Sequence, residues 1–321
     1  MDSYPAGYIH NFKTGDEIRW SASRPSKETT PEERDREKAQ IAADRAARNA
    51  ERSRREAVAS HKARAIWNRA QPAQAHPYLT RKGVSAHGLR QDRNGNLLVP
   101  MRDADGKLWG VQTIKPDGSK LYMAAGKKQG MHALLGELQP GQPLVIAEGF
   151  ATAATMREVT GLALPVAVAF DSGNLMEVAR AYRERHPALP IVIAADNDHH
   201  LPRRDSPLPN VGAVKAAAAA QEVGGVVLQP AFAQNDKGTD WNDHAAQHGK
   251  AAVRQLVQAE LSKQGIELPA ELAKQATTAP AVTQAMRDAA RQQAGQAAQI
   301  PDQRAQESAR RAQQRPAGLT P

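Results

Sequence analysis

Three short apolar runs punctuate the middle of the chain, and each stops on an acidic residue. Residues 144–147 (Leu-Val-Ile-Ala) end on Glu148-Gly149, residues 165–170 (Pro-Val-Ala-Val-Ala-Phe) on Asp171-Ser172-Gly173, and residues 191–195 (Ile-Val-Ile-Ala-Ala) on Asp196-Asn197-Asp198. Between them lie two stretches of helical composition, residues 151–160 and 175–186. Short apolar runs alternating with helical stretches predict two βαβ units and a parallel sheet. All three strands would then finish at one sheet edge, where open α/β sheets bind their ligands.

The pattern divides the rest of the chain around this centre. Asn210-Val211-Gly212-Ala213 opens another helix, and Gly225-Val226-Val227-Leu228 reads as a fourth strand. Val253, Leu256, Val257 and Leu261 recur at helical spacing, which predicts a core-facing helix over 250–263. Residues 141–264 are thus read as one α/β domain. Residues 71–140 read as a small α+β unit: Asp103-Ala104-Asp105-Gly106 and Pro116-Asp117-Gly118 separate apolar-alternating runs, a strong hairpin signal. Residues 1–30 form a hairpin-like segment rich in aromatics (Tyr4, Tyr8, Phe12, Trp20). These rings either stack on bases beside Lys13 and Arg19 or pack on one another.

Residues 31–70 carry 11 Lys or Arg against 7 Asp or Glu, and almost no large apolar residue before Ile66-Trp67. Pro31-Glu32-Glu33 after Thr29-Thr30 is a helix start, so this segment is expected to be a long solvated helical spacer. A contact of Arg52, Arg54 and Arg55 with nucleic-acid backbone is the alternative. Residues 265–321 are Ala-, Gln- and Arg-rich with scattered Pro, a composition that predicts disorder.

The formal net charge of +9 and the pI of about 9.8 point to a polyanionic partner or to simple solubility. There is no cysteine, hence no disulfide framework and no cysteine-based zinc site. No apolar run approaches a membrane span or a signal-peptide core, so a soluble cytoplasmic protein is expected.

The carboxylates at the sheet edge suggest the chemistry. Asp196 and Asp198 are two residues apart, so extended backbone aims both the same way, and Glu148 ends another strand. Three carboxylates that close resist ionising together. A hard divalent cation removes that cost, and Mg²⁺ takes oxygen ligands, usually one or two carboxylates plus substrate phosphates. Lys115, Lys120, Lys127 and Lys128 cluster around the turns of the smaller unit, as phosphate contacts favour. His199 and His200 follow the acidic pair; a polar loop leaving the edge is the simpler account of them than a transition-metal site. His76 reads equally as structural or functional. Asp243 reads as a helix N-cap and Asp240 as a residue beside the metal.

Glu-Gly after one strand, Asp-x-Asp after a later one and a small-residue turn between them resemble the Toprim domain of bacterial-type primases, type IA and type II topoisomerases and some nucleases. More narrowly, the chain is similar to the Toprim primases of conjugative plasmids and phages. Five pieces carry that resemblance: residues 5–15; His76-Pro77-Tyr78-Leu79 with Lys82-Gly83-Val84; Leu97-Leu98-Val99-Pro100; Ala147-Glu148-Gly149; and Gly238-Thr239-Asp240-Trp241-Asn242-Asp243.

It implies a Toprim-like parallel sheet flanked by helices and preceded by a small α+β unit. The implied activity is metal-dependent synthesis of short RNA primers on single-stranded DNA, in plasmid transfer or mobile-element replication. Glu148, Asp196 and Asp198 would be catalytic and would hold Mg²⁺ or Mn²⁺, with Asp240 beside them. Lys82, Lys115, Lys120, Lys127 and Lys128 would steady template or nucleotide phosphates. The implied partners are single-stranded DNA, ribonucleoside triphosphates, and a helicase, relaxase or other transfer protein. Such primases usually carry a zinc ribbon, which a chain without cysteine cannot form in the usual way. A Toprim nuclease and a non-catalytic single-stranded-DNA-binding protein are the alternatives.

Overall fold

The computed structural model describes residues 6–10, 17–21, 30–199, 210–233 and 235–266. The chain opens with β1 (Ala6–His10) and β2 (Glu17–Ser21), then a 39-residue helix α1 (Pro31–Arg69). Next come β3 (Gln71–Pro72), α2 (Pro77–Lys82), β4 (Arg90–Gln91), β5 (Leu97–Arg102), β6 (Leu108–Ile114) and β7 (Lys120–Tyr122). The third stretch holds β8 (Ala133–Leu135), β9 (Leu144–Ala147), α3 (Phe150–Val159), β10 (Val166–Val168), α4 (Leu175–Arg185) and β11 (Ile191–Ala194). It closes with α5 (Val211–Val223), β12 (Val226–Leu228), α6 (Trp241–His248) and α7 (Lys250–Lys263).

Strand β9 lies at the middle of a five-stranded sheet ordered β12-β11-β9-β10-β8. Both β10 and β11 run parallel to β9, with Ala147 level with Val168 on one side and Ala194 on the other. The chain leaves β9 through α3 to β10, then crosses back through α4 to β11. The winding reverses at β9, and a crevice forms beyond its carboxyl end. Alternate strand residues take opposite faces. Val145, Ala147, Val166, Val168, Val192 and Ala194 pack with α3, α6 and α7, whereas Leu144, Ile146, Ala167, Ile191 and Ile193 lie under α4 and α5. Because both faces are covered, these strands read as unbroken apolar runs in the sequence. Each Val or Ile side chain buried this way contributes roughly 1.5–3 kcal/mol.

The expected strand over 165–170 is shorter than its apolar run. β10 stops at Val168, and Phe170 takes a left-handed backbone with φ of 75°. A non-glycine residue is rare there and cannot continue a strand. The Tyr122 hydroxyl donates to the Phe170 carbonyl at 3.0 Å, which ties the turned backbone to β7. At the other edge of the sheet, β8 pairs antiparallel with β10. The sequence had grouped this strand with the smaller unit.

The smaller sheet has the order β3-β4-β5-β6-β7 and is antiparallel throughout. Leu97, Val99, Met101 and Ile114 join Tyr78, Leu79, Val84 and Leu89 in the main core. Helix α1 packs against β6 only through its last turns, where Ala63 meets Leu108 and Val111 beside Trp67. The Ser60 hydroxyl donates to the Leu108 carbonyl at 2.6 Å. A capping box of Thr30 and Glu33 fixes the other end of α1. Strands β1 and β2 pair antiparallel, Tyr8 opposite Arg19, while their turn lies outside the described residues. So do His200, the polar loop of Pro202 to Asp205 and the low-complexity segment from residue 267 onward. No helix among the described residues is long and apolar enough to cross a membrane.

A candidate active-site cleft between the two sheets

The crevice beyond β9 is a cleft of about 340 Å³. Glu148, Gly149, Ala151, Thr152, Phe170, Asp196 and Asp240 line it from the larger sheet, and Tyr78, Arg81, Lys82, Gly118 and Lys120 from the smaller unit. One wall is therefore acidic and the other basic.

On the acidic wall, Glu148 follows the last residue of β9 and Asp196 comes two residues past β11. The Asp196 carboxylate accepts from the Thr152 hydroxyl at 3.4 Å. Burial, reinforced by the charges of Glu148, Asp240 and Asp198, pushes Asp196 up to about 8. Glu148 is also raised, by burial first and then by Asp198, against a hydrogen bond from the Ser172 amide. Asp240 is raised by burial and pulled back by the bond it accepts from the Asp243 amide at 2.7 Å. Asp240 is thus the N-cap of α6, the role the sequence reading gave to Asp243. Asp243 instead accepts from the Thr239 amide and hydroxyl and pairs with Lys82 at 3.3 Å.

Asp198 is not among the residues lining the cleft. Its amide donates to the Asn210 side chain at 3.3 Å, and its carboxylate lies by Gly212 in the first turn of α5. The alternation that aims two residues the same way holds only on extended backbone, and β11 ends at Ala194. Asp198 still lies close enough to raise both Glu148 and Asp196.

Among the described residues, no three carboxylate or imidazole groups converge as a ready-made cation cage. The donor set is nonetheless all oxygen, and its carboxyls are raised by burial first and then by one another, despite Lys82 and Lys120 across the cleft. That combination fits a hard cation which takes one or two carboxylates and fills its other positions with substrate oxygens and water.

On the basic wall, Lys120 extends from β7 so that its ammonium sits over Gly149, 3.8 Å from where a Cβ would lie. Lys120 is accessible at its surface. Crowding by protein atoms and the neighbouring Lys82 charge lower its pKa, while Asp240, Asp196 and Glu148 pull it back up. Arg81 donates to the Pro116 carbonyl at 3.3 Å and lies 5.9 Å from the Tyr78 ring centre. Lys115, Lys127 and Lys128 are outside the cleft lining. Lys127 lies 5.0 Å from the Trp109 ring centre, and Lys128 pairs with Asp171 near Tyr122.

The sequence reading missed Arg81, Tyr78, Thr152 and Phe170 as cleft residues. It also passed over Asn197, which pins the loop carrying Asp196. Its amide donates to the Thr239 carbonyl at 2.6 Å, its side-chain NH₂ donates to the Pro230 carbonyl at 2.8 Å, and its oxygen accepts from Asn210 at 2.7 Å.

The family described as Toprim domain matches residues 143–251. Two Escherichia coli proteins, each named DNA primase TraC, are 38% and 39% identical to the chain over 242 and 243 residues. The matches cover 74% and 73% of this chain, but only 22% and 16% of those relatives. The crystal structure of the primase fragment of the bacteriophage T7 primase-helicase protein aligns with a TM-score of 0.44 at 19% identity, covering 59% of this chain and 77% of the fragment. Residues 143–251, which include β9, thus match the Toprim domain, and the chain is similar to the two TraC primases over about three quarters of its own length but under a quarter of theirs.

Proposed function

We propose that the chain is the primer-synthesising part of a DNA primase, joining ribonucleotides on a single-stranded DNA template. The reading rests on one observation: a carboxylate wall and a cationic wall face each other across the mouth of β9. The relatives' names support it, and it is offered for this stretch alone because the chain spans under a quarter of their length. Residues 71–140 and 141–264 are read as two units that together build the cleft. The 31–70 helix and the hairpin segment before it are read as attachments.

In the reaction a 3′-hydroxyl attacks the α-phosphorus of an incoming nucleotide, and the bond to pyrophosphate breaks. A divalent cation, Mg²⁺ or Mn²⁺, would when bound favour loss of the hydroxyl proton and shield charge on the phosphates. Asp196 and Asp240, with Glu148 beside them, would hold it; Asp198 would act on them through its charge. Lys82, Lys120 and Arg81 would take phosphate oxygens, Arg81 through paired N–H donors. Gly149 leaves α3 without a side-chain cap. Gly149, Ala151 and Thr152 at the start of this helix line the cleft, so its first amides are read as donors to an anion there. Lys115, Lys127 and Lys128 lie further out, where a template strand would leave the cleft. A helicase or a relaxase is the partner class this role calls for.

The test is incorporation of labelled ribonucleotides on single-stranded DNA with Mg²⁺ or Mn²⁺, comparing wild type with Asp196→Asn. Incorporation that depends on template and is lost in the variant supports the reading. Cleavage of DNA without nucleotides, lost in the same variant, would replace it with a nuclease. Binding of single-stranded DNA with neither activity would leave a non-catalytic accessory protein.

A further inference from the structure

Helix α2 is only six residues long, yet it supplies Tyr78, Arg81 and Lys82 to the cleft. So short a helix has almost no stability of its own. Tyr78 and Leu79 seat its middle in the main core, and both of its ends are fastened by buried polar side chains.

At the start, His76 is 2% exposed and is the N-cap. Its Nδ1 accepts from the Tyr78 amide at 3.1 Å, and its carbonyl accepts from the Thr80 amide at 3.0 Å. An accepting Nδ1 carries no proton, so the ring is held as the neutral Nε2–H tautomer. Burial supports this by lowering the His76 pKa. Histidine is not a favoured cap residue. At the other end, Gly83 turns left-handed and the helix stops. There the Asn242 side chain, 3% exposed, donates to the Lys82 carbonyl at 2.7 Å and to the Thr155 hydroxyl at 3.0 Å. Asn242 stands two residues beyond Asp240 and reaches from α6 to α2. It therefore sets the basic wall at a fixed distance from the acidic one.

The geometry points to His76 and Asn242 as paired positioning residues that aim Arg81 and Lys82 at the phosphates of a bound nucleotide. Neither would touch the substrate. The inference rests on the reading of the cleft as a nucleotide site, but not on turnover. Loss of either clamp lets α2 fray or swing, which weakens phosphate binding while the carboxylates stay where they are.

The experiment uses the full chain with ATP as probe. Equilibrium binding is measured first, then KM and kcat for ATP in primer synthesis, for wild type, His76→Ala, His76→Asn and Asn242→Asp. Asn accepts at an N-cap as well as any residue, so His76→Asn should bind like wild type. His76→Ala should weaken ATP binding and raise KM about fivefold, the factor matching a lost cap of ~1 kcal/mol, with kcat near wild type. Asn242→Asp keeps the shape but sets an acceptor against the Lys82 carbonyl, and should do the same. Circular dichroism confirms that each variant is folded, and Asn242→Asp carries the test if His76→Ala is not.

Wild-type ATP binding by His76→Ala or Asn242→Asp would overturn the inference. So would a folded His76→Asn that fails as badly as the alanine variant, or a wild type that does not bind ATP. A wild type that binds ATP but makes no primers would sink the polymerase reading alone, since the clamps are still read from binding.

Discussion

The two walls of the cleft are built from different material. Glu148 and Asp196 sit at the ends of β9 and β11, whose residues are all buried, and the loop beyond β11 is pinned by Asn197. Arg81, Lys82 and Lys120 sit on a six-residue helix and on a three-residue strand exposed along its whole length. Carboxylates that share a cation need fixed separations, and a sheet buried on both faces provides them. Cations that grip a flexible polyphosphate tolerate more play. The acidic wall should therefore fail abruptly when altered, and the basic wall by degrees.

The sharpest way to break that contrast is Asp196→Asn, which keeps the side-chain shape and removes the charge. Primer synthesis should fall about a hundredfold or more, as when a group that stabilises developing charge is lost. Incorporation assays at saturating ATP and DNA read this as kcat. A loss under about tenfold would mean that Asp196 is not central to the chemistry.

Lys82→Met and Lys120→Met test the other wall. Each removes one charge-assisted bond to phosphate, worth ~1.5–3 kcal/mol, so KM for ATP should rise roughly ten- to a hundredfold. The maximal rate should change far less than in Asp196→Asn. If either lysine variant abolishes turnover as fully as Asp196→Asn at saturating ATP, the division between a fixed wall and a forgiving one is wrong.

The burial and mutual repulsion of the acidic wall should also show in stability. Asp196 is held up to about 8 in the fold, by burial first and then by Glu148, Asp240 and Asp198. The same carboxyl titrates near ~3.9 in an unfolded chain. Between those values the fold binds more protons than the unfolded state. The contribution of Asp196 to stability is therefore whole below the lower value and is lost as pH rises through about 8. The raised carboxyls of Glu148 and Asp240 act in the same direction. Metal-free protein should melt several degrees lower at about pH 8.5 than at about pH 6, with a shallower fall in Asp196→Asn. Added Mg²⁺ should recover more of the loss at the higher pH. Identical pH slopes for wild type and variant, followed by thermal melts, would remove Asp196 as the source.

How far the sequence reveals this molecule depends on which contacts are local. The strands 144–147 and 191–194 show because a strand buried on both faces is apolar at every position. Helix α7 shows because Val253, Val257 and Leu261 keep its period. Thr30 announces α1 for the same reason, since a cap bonds within one turn. Arg81 does not show, because six residues of α2 leave no periodicity to read. Asn197 looks like the spacer of an Asp-x-Asp pair, and its bonds to Thr239, Pro230 and Asn210 join segments that only the fold brings together. The same loop carries Asp198 out of the cleft lining, which no pattern in the sequence foretells.

Helix α1 extends the contrast beyond the cleft, and its removal should have the smallest effect. At 1.5 Å per residue its 39 residues span roughly 58 Å. Yet its buried residues are only Ala59, Ser60 and Ala63, all in the part that packs against β6. Every residue from Pro31 to Arg55 is exposed, so the core gains nothing from them. Deleting the chain up to residue 55 should shift the melting temperature by less than about 2 °C, in line with the small effects of surface changes. Ala63→Asp changes one atom group in the buried part and should do far more damage, because an aspartate there faces Leu108 and Val111 with no partner. Melts of both variants, run side by side, decide the matter. A deletion as destabilising as Ala63→Asp would show that the exposed turns of α1 are held by the body of the protein, and that this helix is no mere attachment.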